Sequence, residues 1–247
     1  MVLYYILISV VAVSLLSLAG AGALILSERV LRKLLLFLVA FSAGALIGDS
    51  FIHLLPEMAE GGEFTLRSSN AILAGILVFF ALEKFLRWRH CHDLNCPEHP
   101  KHLGSMNLFA DGLHNLIDGL LIGSSYLVSL PLGLTTTIAV ALHEIPQELG
   151  DFGVLLHSGF SVRRAIGLNF VSAALAIVGA LIAYAVGQGA GDFVLFMVPF
   201  TIGSFVYIAL SGLFPELHKE NEIKKSFWQF MAIILGIGVM YSLIFIE

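Results

Sequence analysis

The sequence predicts an all-α integral membrane protein with eight transmembrane helices, and three observations carry that expectation. Of its 247 residues, 58% are hydrophobic and only 13% charged, against about 25% charged in a soluble domain; mean hydropathy is +0.92. The apolar stretches run unbroken for about 20 residues, enough for a helix to cross a hydrocarbon core of about 30 Å, whereas barrel strands would alternate apolar and polar side chains. The basic residues, finally, fall on every second link.

Windows of spanning length lie at about 2–26, 34–57, 68–88, 106–129, 132–157, 164–187, 192–217 and 226–246. The first begins at Val2 without a basic flank or a small-residue cleavage site, which reads as a span rather than a signal peptide. The 24 Gly and 19 Phe fit helices packed closely in lipid. Short links leave residues 1–247 as a single transmembrane domain. The longest link, 89–105, is polar and is expected to be an irregular cytoplasmic loop. Its His90, Cys91, His92, Cys96, His99 and His102 are metal-binding residue types, but their spacing matches no standard zinc module. Two Cys in one loop imply no disulfide framework. A net charge of −5 without a basic reading surface argues against a nucleic-acid partner.

Of 13 Lys and Arg, Arg29, Arg32 and Lys33 lie in the first link, and Lys84, Arg87, Arg89 and Lys101 flank the third. Arg163 and Arg164 lie in the fifth, and Lys219, Lys224 and Lys225 in the seventh; Arg67 alone is on the other side. The positive-inside rule then makes odd-numbered links cytoplasmic and both termini extracytoplasmic. Aligning the second and seventh spans superimposes Phe41, Gly44, Pro56 and Glu57 on Phe200, Gly203, Pro215 and Glu216, with one constant offset of 159. Those spans run in opposite directions, so the pattern predicts an inverted repeat, helices 1–3 and 6–8, around a central pair of helices 4 and 5.

The chemistry lies in that pair. On the fourth span Asp111, His114, Asn115 and Asp118 stand at i, i+3, i+4 and i+7 and share one face. On the fifth, His143, Gln147 and Asp151 form one row, with Glu144 and Glu148 beside it. Each carboxylate at the bilayer centre costs roughly 2.5–3.5 kcal/mol, so Asp118, Glu144 and Glu148 together cost on the order of 8–10 kcal/mol unless a cation or proton compensates. Imidazoles with carboxylates make a mixed N/O site suited to Zn2+, Fe2+, Mn2+ or Co2+. The competing reading is that these groups only join helices through hydrogen bonds; seven polar groups on two consecutive helices disfavour it. Pro146 lacks an N–H and clashes with the carbonyl four residues back, so Leu142 loses its helix bond and its carbonyl turns toward the site. Asp49, His53 and Glu57 on the second span, again at i+4 steps, read as stepping sites on an entry path. The seventh span has Ile208 and Gly212 in place of Asp49 and His53, so the repeat is symmetric in backbone and asymmetric in chemistry. Asp151 and His157 continue toward the other end of the fifth span.

These residues resemble the motifs of the Zrt/Irt-like (ZIP) metal transporter family. The match is carried by His114-Asn115-Leu116-Ile117-Asp118-Gly119 and by His143-Glu144-Ile145-Pro146-Gln147-Glu148-Leu149-Gly150-Asp151, the latter nearest the branch reading HExPHExGD. Gly48-Asp49 with His53-Leu54-Leu55-Pro56, and Tyr207-Ile208-Ala209-Leu210 with Pro215-Glu216, resemble that branch's second and seventh helices. The resemblance spans the whole chain. It implies eight helices, outward termini, a homodimer in the plasma membrane, and movement of divalent metal, Zn2+ first, into the cytoplasm, with no cofactor beyond the transported ion. Carried over by position, it implies one metal held by His114, Asp118, His143 and Gln147, and a second by Asn115, Glu144 and a bridging Asp118. Gln147 departs from the family, which has His or Glu there; a neutral amide is a weaker ligand.

Two other functions compete with this one. His143-Glu144 begins like the HExxH motif of a zinc metalloprotease, but Gln147 replaces the second His and Pro146 interrupts the helix. A metal-binding membrane receptor would hold ions without moving them. No GxxxxGK[ST] loop for ATP-driven pumping occurs. The expectation is a transporter, not an enzyme.

Overall fold

The computed structural model describes residues 1–18, 28–60, 65–88, 99–187 and 191–246, which form helices joined by short turns, with no strand among them. In order these are α1 (Val2–Leu16), α2 (Glu28–Gly48), a π-helical turn (Asp49–Leu54) and α3 (Leu55–Glu60), then α4 (Leu66–Trp88), α5 (His99–Val128), α6 (Leu130–His157), α7 (Val162–Ala173) and α8 (Leu175–Gly187). The chain continues with α9 (Gly191–Tyr207), a second π-helical turn (Ile208–Leu213), α10 (Phe214–Leu217), α11 (Ile223–Leu243) and a 3-10 turn (Ile244–Ile246).

Five segments are long and apolar enough to cross a membrane: Leu36–Ala59, Leu66–Lys84, Val162–Gly187, Leu195–Leu213 and Ile223–Leu243. Helix α1 is apolar but shorter. Helices α5 and α6, of 30 and 28 residues, extend about 45 and 42 Å at 1.5 Å per residue. They are long enough to span, and the polar stripes predicted for the fourth and fifth spans fall on them. One expectation needs correcting: residues 99–105, read as irregular loop, are the first two turns of α5. Pro100 falls in the first helical turn, where its missing N–H would have had no helical partner anyway. Residues 89–98 of that link, with His90, Cys91, His92 and Cys96, lie outside the described residues, as do 19–26 of the first window.

Glycine lets pairs of helices touch backbone to backbone. In the α2–α11 pair, a Cβ on Gly44 would meet the Ile233 carbonyl, and one on Gly236 the Phe41 carbonyl. In the α4–α9 pair, a Cβ on Gly203 would meet the Ile72 carbonyl, and one on Gly75 the Phe200 carbonyl. The second set is the first with Phe41 and Gly44 exchanged for Phe200 and Gly203. Polar ties extend the second pair, from Arg67–Asp192 at 2.9 Å to Tyr207 Oη donating to Glu83 at 2.5 Å. Those ties advance together along both chains, so α4 and α9 run parallel.

Each π-turn ends with an N–H bonded five residues back, Leu55 to Ser50 and Phe214 to Ala209. Two residues past the last π position stand Pro56 and Pro215, whose rings would press on the carbonyl four residues earlier. The wider π register makes room for that ring. The two turns start at Asp49 and Ile208, the same offset of 159 that aligns the flanking sequences.

Candidate metal centre

Helices α5 and α6 form an antiparallel hairpin joined only by Ser129, whose side chain caps α6 by accepting from the Leu132 N–H. Its register is set by Thr136–Ser125 at 3.1 Å, His143–Asp118 at 3.1 Å and Asn107–Asp151 at 2.8 Å. Gly159, with φ of 83°, then turns the chain out of α6, a left-handed conformation that costs glycine nothing.

Midway along the hairpin one ligand atom from each of His114, Asp118, His143 and Glu144 lies within 4.8 Å of all the others. His143 Nε2 is 3.1 Å from Asp118 Oδ2 and 3.3 Å from His114 Nε2. His114 Nε2 is 3.5 Å from Asp118 Oδ2 and 3.4 Å from Glu144 Oε1, and His143 Nε2 is 3.7 Å from that same Oε1. Four atoms each about 2.0–2.1 Å from a tetrahedral ion must stand about 3.3–3.4 Å apart. Five of the six edges of this tetrahedron fall close to that value.

The protonation pattern favours a cation as well. His143 Nδ1 lies 3.2 Å from the Ala139 carbonyl, which can only accept, so Nδ1 carries a hydrogen, and in the neutral ring the Nε2 lone pair faces the centre. That lone pair then meets two carboxylate oxygens in a site where Asp118 is wholly buried and His143 and Glu144 are 1% exposed. Like-signed acceptors at such distances, shielded from water, repel unless a cation or proton lies between them. Phe79 and Phe205 pack edge-on against His114 and His143, with centroids 5.5 and 6.0 Å away, and hold the rings in an apolar sleeve.

The freed carbonyl expected from Pro146 is caught: Ser42 Oγ of α2 donates to the Leu142 oxygen. The backbone group released one turn from the centre is thus satisfied by a neighbouring helix, which anchors α2 to α6.

The remaining sequence candidates make contacts of their own. Gln147 borders Asp111. Asn115 donates to Asp111 Oδ1 at 2.9 Å, and Glu148 accepts from Asn169 of α7. Asp49 and His53 are buried in the first π-turn, where His53 Nε2 meets the Met240 carbonyl of α11 at 2.9 Å. Asn169, Asn107 and Ser42 are additions that the sequence reading lacks. A lone amide in the apolar window 164–187 is a readable signal for Asn169; nothing marks Ser42.

A helical bundle with segments long and apolar enough to span a membrane and a largely buried quartet of two imidazoles and two carboxylates has the form of a metal-handling membrane protein. The profile of the ZIP zinc transporter family matches residues 3–105 and 90–244. The chain is 33% identical to the Drosophila melanogaster "Zinc transporter ZIP13 homolog", covering 84% of this chain and 77% of that protein. It is 36% identical to "Zinc transporter ZIP13" of Pongo abelii (82% and 65%) and 34% identical to that of Mus musculus (85% and 70%). The chain belongs to the ZIP zinc transporter family, and its function is divalent metal transport through a membrane.

Proposed function

We propose that the chain moves Zn2+ into the cytoplasm through the His114, Asp118, His143 and Glu144 quartet, crossing the membrane eight times as an inverted repeat around α5 and α6. The observation that carries the ion site is the near-tetrahedral spacing of four ligand atoms, three on buried side chains and one on the part-buried His114. Two imidazoles with two carboxylates suit Zn2+, with Fe2+, Mn2+ and Co2+ able to compete, and the relatives' names favour zinc. The repeat is supported by the 159-residue offset shared by the two π-turns and by the exchanged glycine contacts. Eight crossings with extracytoplasmic termini follow from the distribution of Lys and Arg. We take the assembly to be a homodimer in the plasma membrane. Asp49 and His53 serve as an approach to the quartet, and Asn115, Gln147 and Glu148 act on its other side. The helices carrying the π-turns move against α5 and α6 to expose the site alternately to either face.

Proteoliposomes loaded with a zinc-sensitive dye test this reading. His143→Ala and Asp118→Ala should each abolish uptake while the protein stays folded in the membrane; wild-type rates in both would overturn the site. Protons compete with metal for these ligands, so occupancy should fall between about pH 7 and about pH 5. Tighter binding at the acid end would contradict the assignment. A protein that bound zinc without any flux would be a receptor, not a carrier.

A further inference from the structure

Toward the Asn107–Asp151 end of the hairpin lies a second polar group, built by one rule applied three times. Each of three carboxylates is fixed by one asparagine amide: Asn107 Nδ2 donates to Asp151 Oδ1 at 2.8 Å, Asn115 Nδ2 to Asp111 Oδ1 at 2.9 Å, and Asn169 Nδ2 to Glu148 Oε2. In each carboxylate the other oxygen, Asp151 Oδ2, Asp111 Oδ2 or Glu148 Oε1, is buried with no hydrogen-bond partner among the described residues. The carbonyl oxygens of Asn115 and Asn169, both 0% exposed, are likewise without one. Ser172, whose hydroxyl donates to the Leu108 carbonyl at 3.1 Å, and Gln147 border Asp111 from the side. No Lys or Arg pairs with any of the three carboxylates among the described residues.

Five buried acceptor oxygens thus make no hydrogen bond among the described residues. Buried acceptors are ordinarily satisfied, and an asparagine that fixes one carboxylate oxygen leaves the other aimed for a ligand. An all-oxygen set of this kind matches a hard divalent cation. The three carboxylates do not close into the 4.8 Å grouping that the quartet achieves, so the ion would keep part of its water, as Mg2+ and Mn2+ ordinarily do.

We propose that Asp111, Glu148 and Asp151, each oriented by its asparagine, form a second cation station that receives a partly hydrated dication beside the imidazole quartet. Its place on a transport path rests on the transport reading above; its capacity to bind does not. None of the ligands that the family resemblance implies for the first ion belongs to this set. Passing from a dehydrating N/O quartet to a hydrating oxygen cluster would let the ion regain water in steps.

The test is Mn2+ titration of the full chain in lipid nanodiscs, followed by the electron paramagnetic resonance signal of the free ion. With His143→Ala disabling the quartet, one Mn2+ should still bind. Adding Asp151→Asn or Asp111→Asn, which preserve volume, should weaken that ion by about tenfold or more. Asn107→Ala in the same background leaves every charge in place and should weaken it less, by about two- to fivefold, through a loosened Asp151. Two results overturn the proposal: no Mn2+ bound by His143→Ala, or unchanged affinity in the carboxylate variants, of which either one suffices if the other misfolds. Failure of zinc flux in wild-type liposomes would refute the transport reading and leave this titration to stand or fall by itself.

Discussion

The π-turns at 49–54 and 208–213 share a backbone and part company in their side chains. Both are preceded by a Phe and a Gly at matching positions, both are followed by a Pro, and both sit on a helix whose glycine touches a partner's carbonyl. Yet the first carries buried Asp49 and His53 where the second carries Ile208 and Gly212. The pair Ser42 and Thr201, also 159 apart, diverges in the same way. Ser42 reaches across to the Leu142 carbonyl of α6, whereas Thr201 Oγ1 bonds to Met197 of its own helix at 2.8 Å. Glycine and proline therefore set the path of the chain in both halves, and a few polar side chains add chemistry to one of them.

The sharpest way to break this comparison is to attack what the halves share. Gly44→Leu and Gly203→Leu each drive a side chain into a neighbouring backbone that cannot swing aside, so each should cost about 3 kcal/mol or more. The two losses should agree within about 1 kcal/mol, read from thermal unfolding in detergent. A protein that tolerated one and not the other would have two unrelated helix contacts.

Much of this was legible in the sequence because lipid imposes length and the helix imposes period. The five spans Leu36–Ala59, Leu66–Lys84, Val162–Gly187, Leu195–Leu213 and Ile223–Leu243, the stripe from Asp111 to Asp118 and the freed Leu142 carbonyl all follow from those two constraints. Spacing fixes the face of a helix but not the level of its partner. The pairings 118 with 143 and 107 with 151 set that level, bringing Glu144 into the quartet and Gln147 beside Asp111. The π-turns are hidden because Pro56 and Pro215 announce only a local disturbance, and a kink would satisfy the same sequence. Asn169 stands out as a lone amide, but its partner is hidden: it lies in a different span, and periodicity within one helix cannot pair it with Glu148.

The next effect falls on what the halves do not share. Asp49→Ala should lower zinc uptake by about tenfold or more, a loss of about 1.4 kcal/mol or more, with folding retained. Ile208→Ala at the matching position should leave uptake within about twofold. Equal losses from both would mean that the turns act as backbone devices and that Asp49 has no part in the ion's approach.

A smaller difference separates the two hydroxyls. Ser42→Ala strips the Leu142 carbonyl of the donor that stands in for the missing Pro146 N–H, and should cost about 1 kcal/mol or slightly more. Thr201→Ala removes a bond within one helix, where the carbonyl of Met197 can keep its helical partner, and should cost no more than a few tenths of a kcal/mol. Unfolding midpoints of the two variants check the order. A larger loss at Thr201 would move the anchoring role to the other half.

The smallest effect is the most diagnostic for the open side of the pair. Gly212 stands where His53 stands in the first turn, and a Cβ built there meets no atom within 4 Å. Its φ is not in the left-handed region, so nothing in the backbone demands glycine. Gly212→Ala should then raise stability by up to about 1 kcal/mol through helix propensity alone, with zinc uptake unchanged. If uptake fell while the unfolding midpoint rose, the open space beside Gly212 would be in use during transport. The second turn would then contribute by leaving room where the first contributes an imidazole.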